Sequence, residues 1–177
     1  RMVLLYPRDP QLRFLYGQLL ARKAMATDAI RELEKAIDLD PTKEEYFIEL
    51  AALHERREKP LEAIVILKEL VKKIPDSYQG WLQLARFYLA TSQKKQAVKA
   101  ALRAYELQTS NPEAILVYAL ALERSNRSKE AIALYEQLYR FNPTNEELTE
   151  RMVELYRSLG DLKESLELLD ELVSQPG

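Results

Sequence analysis

Four alanines, Ala29, Ala63, Ala97 and Ala131, stand thirty-four residues apart, and Ser165 takes the next step. Pro7, Pro41, Pro75 and Pro143 keep the same interval, with Thr109 and Gly177 in the two remaining slots. Three more columns run in phase: Gly17, Ala51, Ala85, Ala119 and Val153; Ile30, Ile64, Val98, Ile132 and Leu166; Tyr16, Leu50, Leu84, Tyr118 and Met152. Small residues keep to some columns and large ones to others. Five columns in one phase require a chain built from repeated units, each burying its apolar face only against its neighbours.

The phase divides the chain into units 10–43, 44–77, 78–111, 112–145 and 146–177 of a single array over 1–177. Residues 1–9, with Leu4, Leu5 and Pro7, fall where a preceding unit would end. The 177 residues hold only four glycines, while 47% are hydrophobic and 31% charged. That composition is all-α and far from the polar, charge-rich regime of disordered chains. Each unit reads as two helices, A and B, of about 12–15 residues joined by a short turn. In helix A apolar side chains recur at i, i+3, i+4 and i+7, as in Phe47, Leu50, Ala51 and His54, or Trp81, Leu84, Ala85 and Tyr88. They form one stripe facing helix B of the same unit. Small residues such as Ala51 and Ala63 let the two axes come close. Ala97 and Ala131 are expected to be almost fully buried at this crossing, and Ala114 to lie on the surface. Asp9-Pro10 and Asn111-Pro112 combine an N-cap with proline at the first helical position. Thr42-x-x-Glu45, Thr144-x-x-Glu147 and Asp161-x-x-Glu164 read as capping boxes. Pro75 and Pro143 stop the helices before them, and Pro112 does so where Thr109 replaces proline.

The third unit carries Trp81, Leu84, Ala85, Tyr88 and then Ala97, the pattern W-x2-L-G/A-x2-Y…A. At this period the sequence resembles the tetratricopeptide repeat family over nearly its whole length. Arg13 and Thr149 depart from the aromatic position, and Val153 from the small one. The resemblance implies a right-handed superhelical solenoid of antiparallel helix pairs, with helix A lining a concave groove and helix B forming the outer wall. It also implies that an extended peptide or a helix of a partner binds in the groove. Chaperone-binding adaptors of the family hold a terminal carboxylate with Lys and Asn at groove positions. Here those positions read Phe14, Gln18, Ala52, Leu82 and Arg86, so that clamp is absent.

Catalytic signals are missing. The chain has no cysteine and one histidine, which excludes disulfides, thiolate chemistry and multi-His metal sites. His54 shares a column with Leu20, Tyr88, Leu122 and Tyr156 and is read as a packed core residue hydrogen-bonded within its unit. No phosphate-binding glycine loop, G-x-S-x-G, H-E-x-x-H or EF-hand pattern occurs. The chain is therefore read as non-enzymatic, with no catalytic residue, cofactor or metal. Glu44–Glu45 and Glu146–Glu147 sit at helix N-termini, where the helix dipole favours them. No apolar run reaches the roughly 18 residues of a membrane span. The expectation is a soluble segment of a longer bacterial repeat protein, cytoplasmic or periplasmic.

Charge is distributed unevenly around a formal net of −2. From Ser77 to Tyr105 there is no Asp or Glu, and Lys95, Lys99 and Arg103 form a stripe on helix B of the third unit. The fifth unit has nine acids against three bases. The stripe reads either as a solvated face or as a docking patch for an acidic surface.

One face round from the core stripe run two columns: Phe14, Ile48, Leu82, Leu116 and Glu150, then Gln18, Ala52, Arg86, Leu120 and Glu154. Arg22, Arg56 and Arg124 recur in a third. The first four units thus present an apolar strip edged by guanidinium groups, the expected partner-binding groove. It suits a segment of alternating apolar and acidic side chains. Glu45, Glu55, Glu113 and Glu123 border this face and support the opposite reading, in which they neutralise the arginines. The function expected is a protein–protein interaction scaffold. One rival is a regulatory or substrate-recruiting arm of a larger multidomain enzyme. Another is an RNA-binding helical repeat, against which the strict spacing and the acidic balance count. Leu162, Leu166, Leu169 and Val173 have no obvious successor to cover them. Self-association through uncapped ends, or a chain that continues, is expected there.

Overall fold

The beat of the sequence is the beat of the helices. The computed structural model describes residues 6–174. Its helices are α1 Pro10–Arg22, α2 Ala26–Leu39, α3 Glu44–Arg56, α4 Pro60–Lys73, α5 Tyr78–Ala90, α6 Lys94–Leu107, α7 Pro112–Arg124, α8 Ser128–Phe141, α9 Glu146–Leu159 and α10 Leu162–Ser174. Odd-numbered helices, the A helices, start thirty-four residues apart, and so do the even-numbered B helices. No strand occurs among the described residues. Of the expected tail of a preceding unit, residues 1–5 lie outside the described residues, and Pro7 and Arg8 form a turn. Gly177 also lies outside them.

The helices fall into two units, residues 1–92 with α1–α5 and residues 93–177 with α6–α10. Within each, every helix packs on the next in sequence. The connections are short, so consecutive helices run antiparallel.

Small columns line the helix pairs that lie within each unit. Ala29, Ala63, Ala97 and Ala131 are all 0% exposed, and Ser165 is buried. In the first unit Gly17 and Ala51 stand opposite Ala29 and Ala63, and in the second Ala119 and the larger Val153 stand opposite Ala131 and Ser165; all of these and Ala85 are buried. A Cβ on Gly17 would lie 2.9 Å from Leu33 Cγ and 3.3 Å from the Ala29 carbonyl oxygen. The backbone of α1 at Gly17 therefore lies directly against the Leu33 side chain and the Ala29 carbonyl of α2. A second close approach joins one pair to the next. A Cβ on Gly80 would lie 2.9 Å from Leu70 Cδ2, so α4 seats its leucine against the start of α5.

Ala114 is not a surface residue. It is 0% exposed, as are Ala119 and Ala121 on the same helix. An A helix inside the stack touches two B helices, and α7 packs on both α6 and α8. It therefore buries two stripes, where a single amphipathic stripe predicts one.

Helix starts obey one column: Asp9, Lys43, Ser77, Asn111 and Asn145 precede the A helices. Asp9, Ser77, Asn111 and Asn145 accept hydrogen bonds from the N–H groups of Leu12, Gly80, Glu113 and Leu148 at 2.9–3.0 Å. The expected capping boxes at Thr42 and Thr144 do not form. Their hydroxyls donate backwards to Asp40 and Asn142, and Asn145 takes the cap that Thr144 was expected to provide. Lys43 leaves α3 without a side-chain cap.

The A-to-B turns also share one geometry. Ala24, Glu58, Ser92, Asn126 and Gly160 all have φ between 58° and 84°. Each donates its N–H to the carbonyl three residues back. The N–H groups of Met25, Lys59, Arg127 and Asp161 reach the carbonyls of Leu20, His54, Leu122 and Tyr156, closing Schellman motifs. Only the fifth turn uses glycine for the left-handed residue.

Arg13, a departure from the aromatic column, turns out to be a replacement in kind. Trp81 donates Nε1–H to the Pro75 carbonyl at 2.8 Å. Arg13 donates from Nε and Nη2 to the equivalent Pro7 carbonyl at 3.1 and 3.0 Å. Its other arm pairs at 2.5 Å with buried Glu32, which also takes Lys35 at 2.8 Å. Burial alone would raise the Glu32 pKa, but the bonds to Lys35 and Arg13 bring it below the usual carboxylate value.

His54 packs half-buried, as its column implies, but its buried Nδ1 has no hydrogen-bond partner. Burial lowers its pKa, helped by Arg57 and Lys59 and opposed by Glu62 and Glu34.

Three outcomes are expected. Ala131→Leu overpacks the α7–α8 crossing and costs about 1–3 kcal/mol, whereas Ala133→Leu on the exposed side of α8 stays within about 0.5 kcal/mol. Urea denaturation of the two variants checks this, and equal midpoints contradict the packing. Glu58→Gly relieves the left-handed strain and, net of the glycine's extra unfolded-state entropy, stabilises by about 0.5–1 kcal/mol. Asn126→Gly gains less, because asparagine already tolerates that conformation. Thermal melts of both rank them. For His54 the folded pKa lies below the unfolded value of about 6.5. The folded state holds fewer protons, so this contribution is complete above that pH and is lost as the pH falls through the folded pKa. His54→Leu should flatten the stability profile between neutral and mildly acidic pH, and parallel profiles for wild type and variant would refute the assignment.

Candidate functional site

The expected groove residues all lie on A helices, but they differ in what they offer a ligand. In the first unit, Phe14 and Leu82 are buried, Leu82 completely. Phe14 faces Tyr46 with ring centroids 4.8 Å apart, and the Tyr46 hydroxyl donates to Gln11 at 3.0 Å. The strip near Phe14 is thus filled by its own neighbour. Ile48 and Ala52 remain half-buried. Gln18 donates to Glu49 at 3.4 Å, and Arg56 pairs with the same carboxylate at 3.1 Å. Glu49 was not among the carboxylates expected to neutralise the arginines. Exposed Arg86 lies in a shallow cleft with Gln83, Phe87 and Ala90, facing Glu55 and Glu58. Arg22, exposed at the end of α1, pairs with no carboxylate among the described residues.

In the second unit the same face opens. Leu116 is 40% exposed and Leu120 half-buried. Arg124 is exposed and, among the described residues, pairs with no carboxylate. Glu150 and Glu154 of α9 are exposed. Leu116 lines a cleft of about 550 Å³ with Pro112 and Glu113 of α7, Leu138 and Phe141 of α8, Asn142 and Asn145 of the connection, and Glu147, Leu148 and Arg151 of α9.

The repeat explains why a cleft exists here. Leu116 and Leu148 stand three repeats on from Phe14 and Tyr46. Two rings tilted at 34° in contact close the position in the first unit, whereas two leucines leave it open in the second. Phe141, 66% exposed, forms one rim. Arg151 forms the other and is held between Glu123 at 3.4 Å and Glu147 at 3.3 Å. Glu123 also accepts from buried Tyr135 at 2.6 Å, and burial, with this bond, pushes the phenol pKa far up. Glu123, one of the four carboxylates set against the groove arginines in the opposite reading, is engaged by Arg151 and Tyr135.

The cleft is apolar at its floor, with amide and charged groups at its edge. It can take an aliphatic or aromatic side chain and hydrogen-bond the adjoining backbone. Leu138, Phe141, Leu148 and Arg151 were not foreseen from the groove columns. They come from the end of helix B and the start of the next helix A, and the paired leucines at 116 and 148 were the only signal. Lys95 and Lys99 of the basic stripe are exposed, while Arg103 is half-buried and pairs with Glu106 at 3.2 Å. Among the described residues no group of acidic or histidine side chains could hold a metal ion, and no helix is long and apolar enough to cross a membrane.

Models described as tetratricopeptide repeat match residues 10–43, 82–146 and 122–176. No curated protein matches the sequence. Among solved structures, the MamA protein superposes with a TM-score of 0.81 at 21% identity, covering 93% of this chain and 90% of that one. MamA 41-end from Desulfovibrio magneticus RS-1 gives 0.78 at 13% identity, covering 93% of both. YrrB, described as a TPR protein with an unusual peptide-binding site, gives 0.82 at 17% identity, covering 97% of this chain and 89% of that one. At such identities the likeness is one of fold. Together the family matches span more than half of the residues, and with the thirty-four-residue helix pairs they show that the chain belongs to the tetratricopeptide repeat family.

Proposed function

We propose that the protein is a non-catalytic interaction scaffold that holds an extended peptide or a helix of a protein partner along its A-helix face. The observation that carries this reading is the cleft at Leu116. It is an apolar recess of side-chain size on the face where the groove columns run, rimmed by exposed Phe141 and by Arg151. The fold shared with YrrB, whose description names a peptide-binding site, supports it.

The recess anchors one large apolar side chain of the partner, while Asn142, Asn145 and Glu113 are placed to meet its backbone. Arg151 is already compensated by Glu123 and Glu147, so it positions a polar group more than it attracts an anion. Arg124 and Arg22 have no carboxylate of their own and favour acidic side chains in the partner. Of the groove columns, Ile48, Ala52, Leu120, Gln18, Arg56 and Arg86 are the remaining contact positions, and the buried Phe14 and Leu82 serve the fold instead.

Selection from a displayed random peptide library tests this directly. Wild-type protein should enrich peptides with a recurrent large apolar residue flanked by acids. Phe141→Asp and Leu116→Asp should each weaken the selected peptides at least tenfold. Arg124→Glu should act more on association rate and salt dependence than on the apolar preference. Unchanged binding by Phe141→Asp and Leu116→Asp would place the site elsewhere, with the stripe at Lys95 and Lys99 the next surface to examine.

A further inference from the structure

The cleft at Leu116 has two unlike walls. On α7, Leu116, Leu120 and Arg124 follow one another at i, i+4 and i+8, so that wall is apolar and ends in a base. On α9, Glu147 lines the cleft, and Glu150 and Glu154 continue from it at i+3 and i+7. All three carboxylates are exposed. Glu154 pairs with Arg157 at 3.6 Å. Glu150 pairs with no base among the described residues, and neither does Glu146. Arg151, the base that lines the cleft, is already held by Glu123 and Glu147. The recess is therefore bordered by a surplus of negative charge. The two walls also stand apart: no Cα of α7 lies within 8 Å of one of α9, whereas α1 and α3 approach that closely. The rim offers donors as well. Asn142 Oδ1 accepts from the Thr144 hydroxyl at 2.9 Å, and Asn145 Oδ1 from the Leu148 N–H at 3.0 Å. Both amide oxygens are thus engaged, and neither Nδ2 donates to an acceptor among the described residues. A helical ligand satisfies its own backbone carbonyls, whereas an extended one leaves them for such donors.

From these features we infer that the occupant is an extended segment of a partner protein carrying a large apolar residue, with a base beside it on one side and an acid about four residues away on the other. This rests on the cleft being the partner site, as proposed above. The apolar side chain fills the recess, the base meets Glu147 and Glu150, and Asn142 and Asn145 donate to the adjoining backbone. The arginines of the groove columns attract only acids; the requirement for a base comes from α9. The spacing follows from the helices. α7 and α9 run in the same direction, each antiparallel to α8, so Arg124 stands about 12 Å beyond Leu116 along the cleft. About four residues of extended chain span that length, and an even step puts the acid on the same side as the apolar residue.

Peptides selected from the displayed library against wild-type protein test this by their charge order. They should carry a base beside the large apolar residue on one side only, and an acid on the other. The best of them, with its base intact or replaced by alanine, is then titrated with the full chain by fluorescence anisotropy. Loss of the base should weaken binding to wild type about fivefold and have no effect on binding to Glu150→Lys, which breaks no ion pair among the described residues. Glu147→Gln should reduce the effect of the base without abolishing it. Added salt should shrink the difference between the two peptides, as opposed charges are screened. Leu116→Asp separates this inference from the reading it rests on, and Phe141→Asp replaces it if Leu116→Asp loses helicity by circular dichroism. Peptides that need Leu116 but carry no base, or whose base matters equally to wild type and Glu150→Lys, overturn the inference and leave the cleft as the partner site. Peptides that bind Leu116→Asp as they bind wild type, or a library from which nothing is enriched, overturn both.

Discussion

Everything in this array depends on how closely helix A approaches helix B. Within each unit the approach is set by small residues on each side, Gly17 and Ala51 against Ala29 and Ala63, Ala119 and Val153 against Ala131 and Ser165. At Gly17 the limit is reached, with space for no Cβ between α1 and Leu33. Close packing of this kind excludes water and lets larger neighbours such as Leu33, Leu67 and Tyr135 interdigitate around the crossing. The thirty-four-residue spacing is a consequence: each turn of the array must bring the same small patch back to the same place.

That dependence explains why so much of the fold was legible in the sequence. Alanine in a helix is common, but alanine at a fixed interval with small partners at another fixed interval has only one use. Helix starts were half legible: Asp9 and Asn111 announce their caps by the proline that follows, whereas Ser77 and Asn145 cap α5 and α9 without that signal. The turns between A and B were harder. Ala24, Glu58 and Ser92 adopt left-handed backbone without any residue that announces it. The stack imposes that geometry, and local preference yields to it. Thr42 and Thr144 show the reverse case, a local pattern with two uses, where the hydroxyl bonds backwards to Asp40 and Asn142.

The candidate site was less legible. A helical wheel places Phe14, Leu82 and Leu116 on one face, yet whether a side chain on that face is open depends on what the next helix sends across. Tyr46 covers Phe14, whereas Leu148 fails to cover Leu116. The difference is a matter of pairs one interface apart, and no single column contains it. Ion pairing followed the same rule. Glu49 ties Gln18 to Arg56, and Glu123 serves Arg151 and Tyr135. The Gln18–Glu49 and Glu123–Arg151 contacts are set by long side chains reaching between helices.

One set of contacts, repeated every thirty-four residues, holds the helix pairs together within each unit. A substitution scan of every position scored by resistance to proteolysis measures this in a single experiment. The profile of destabilisation should repeat at thirty-four residues, with its sharpest maxima for large substitutions in the Gly17 and Ala29 columns. Ala114 should score as core and Ala133 as surface. A profile with no such period, or one in which large side chains are tolerated at Ala63, Ala97 and Ala131, would contradict it.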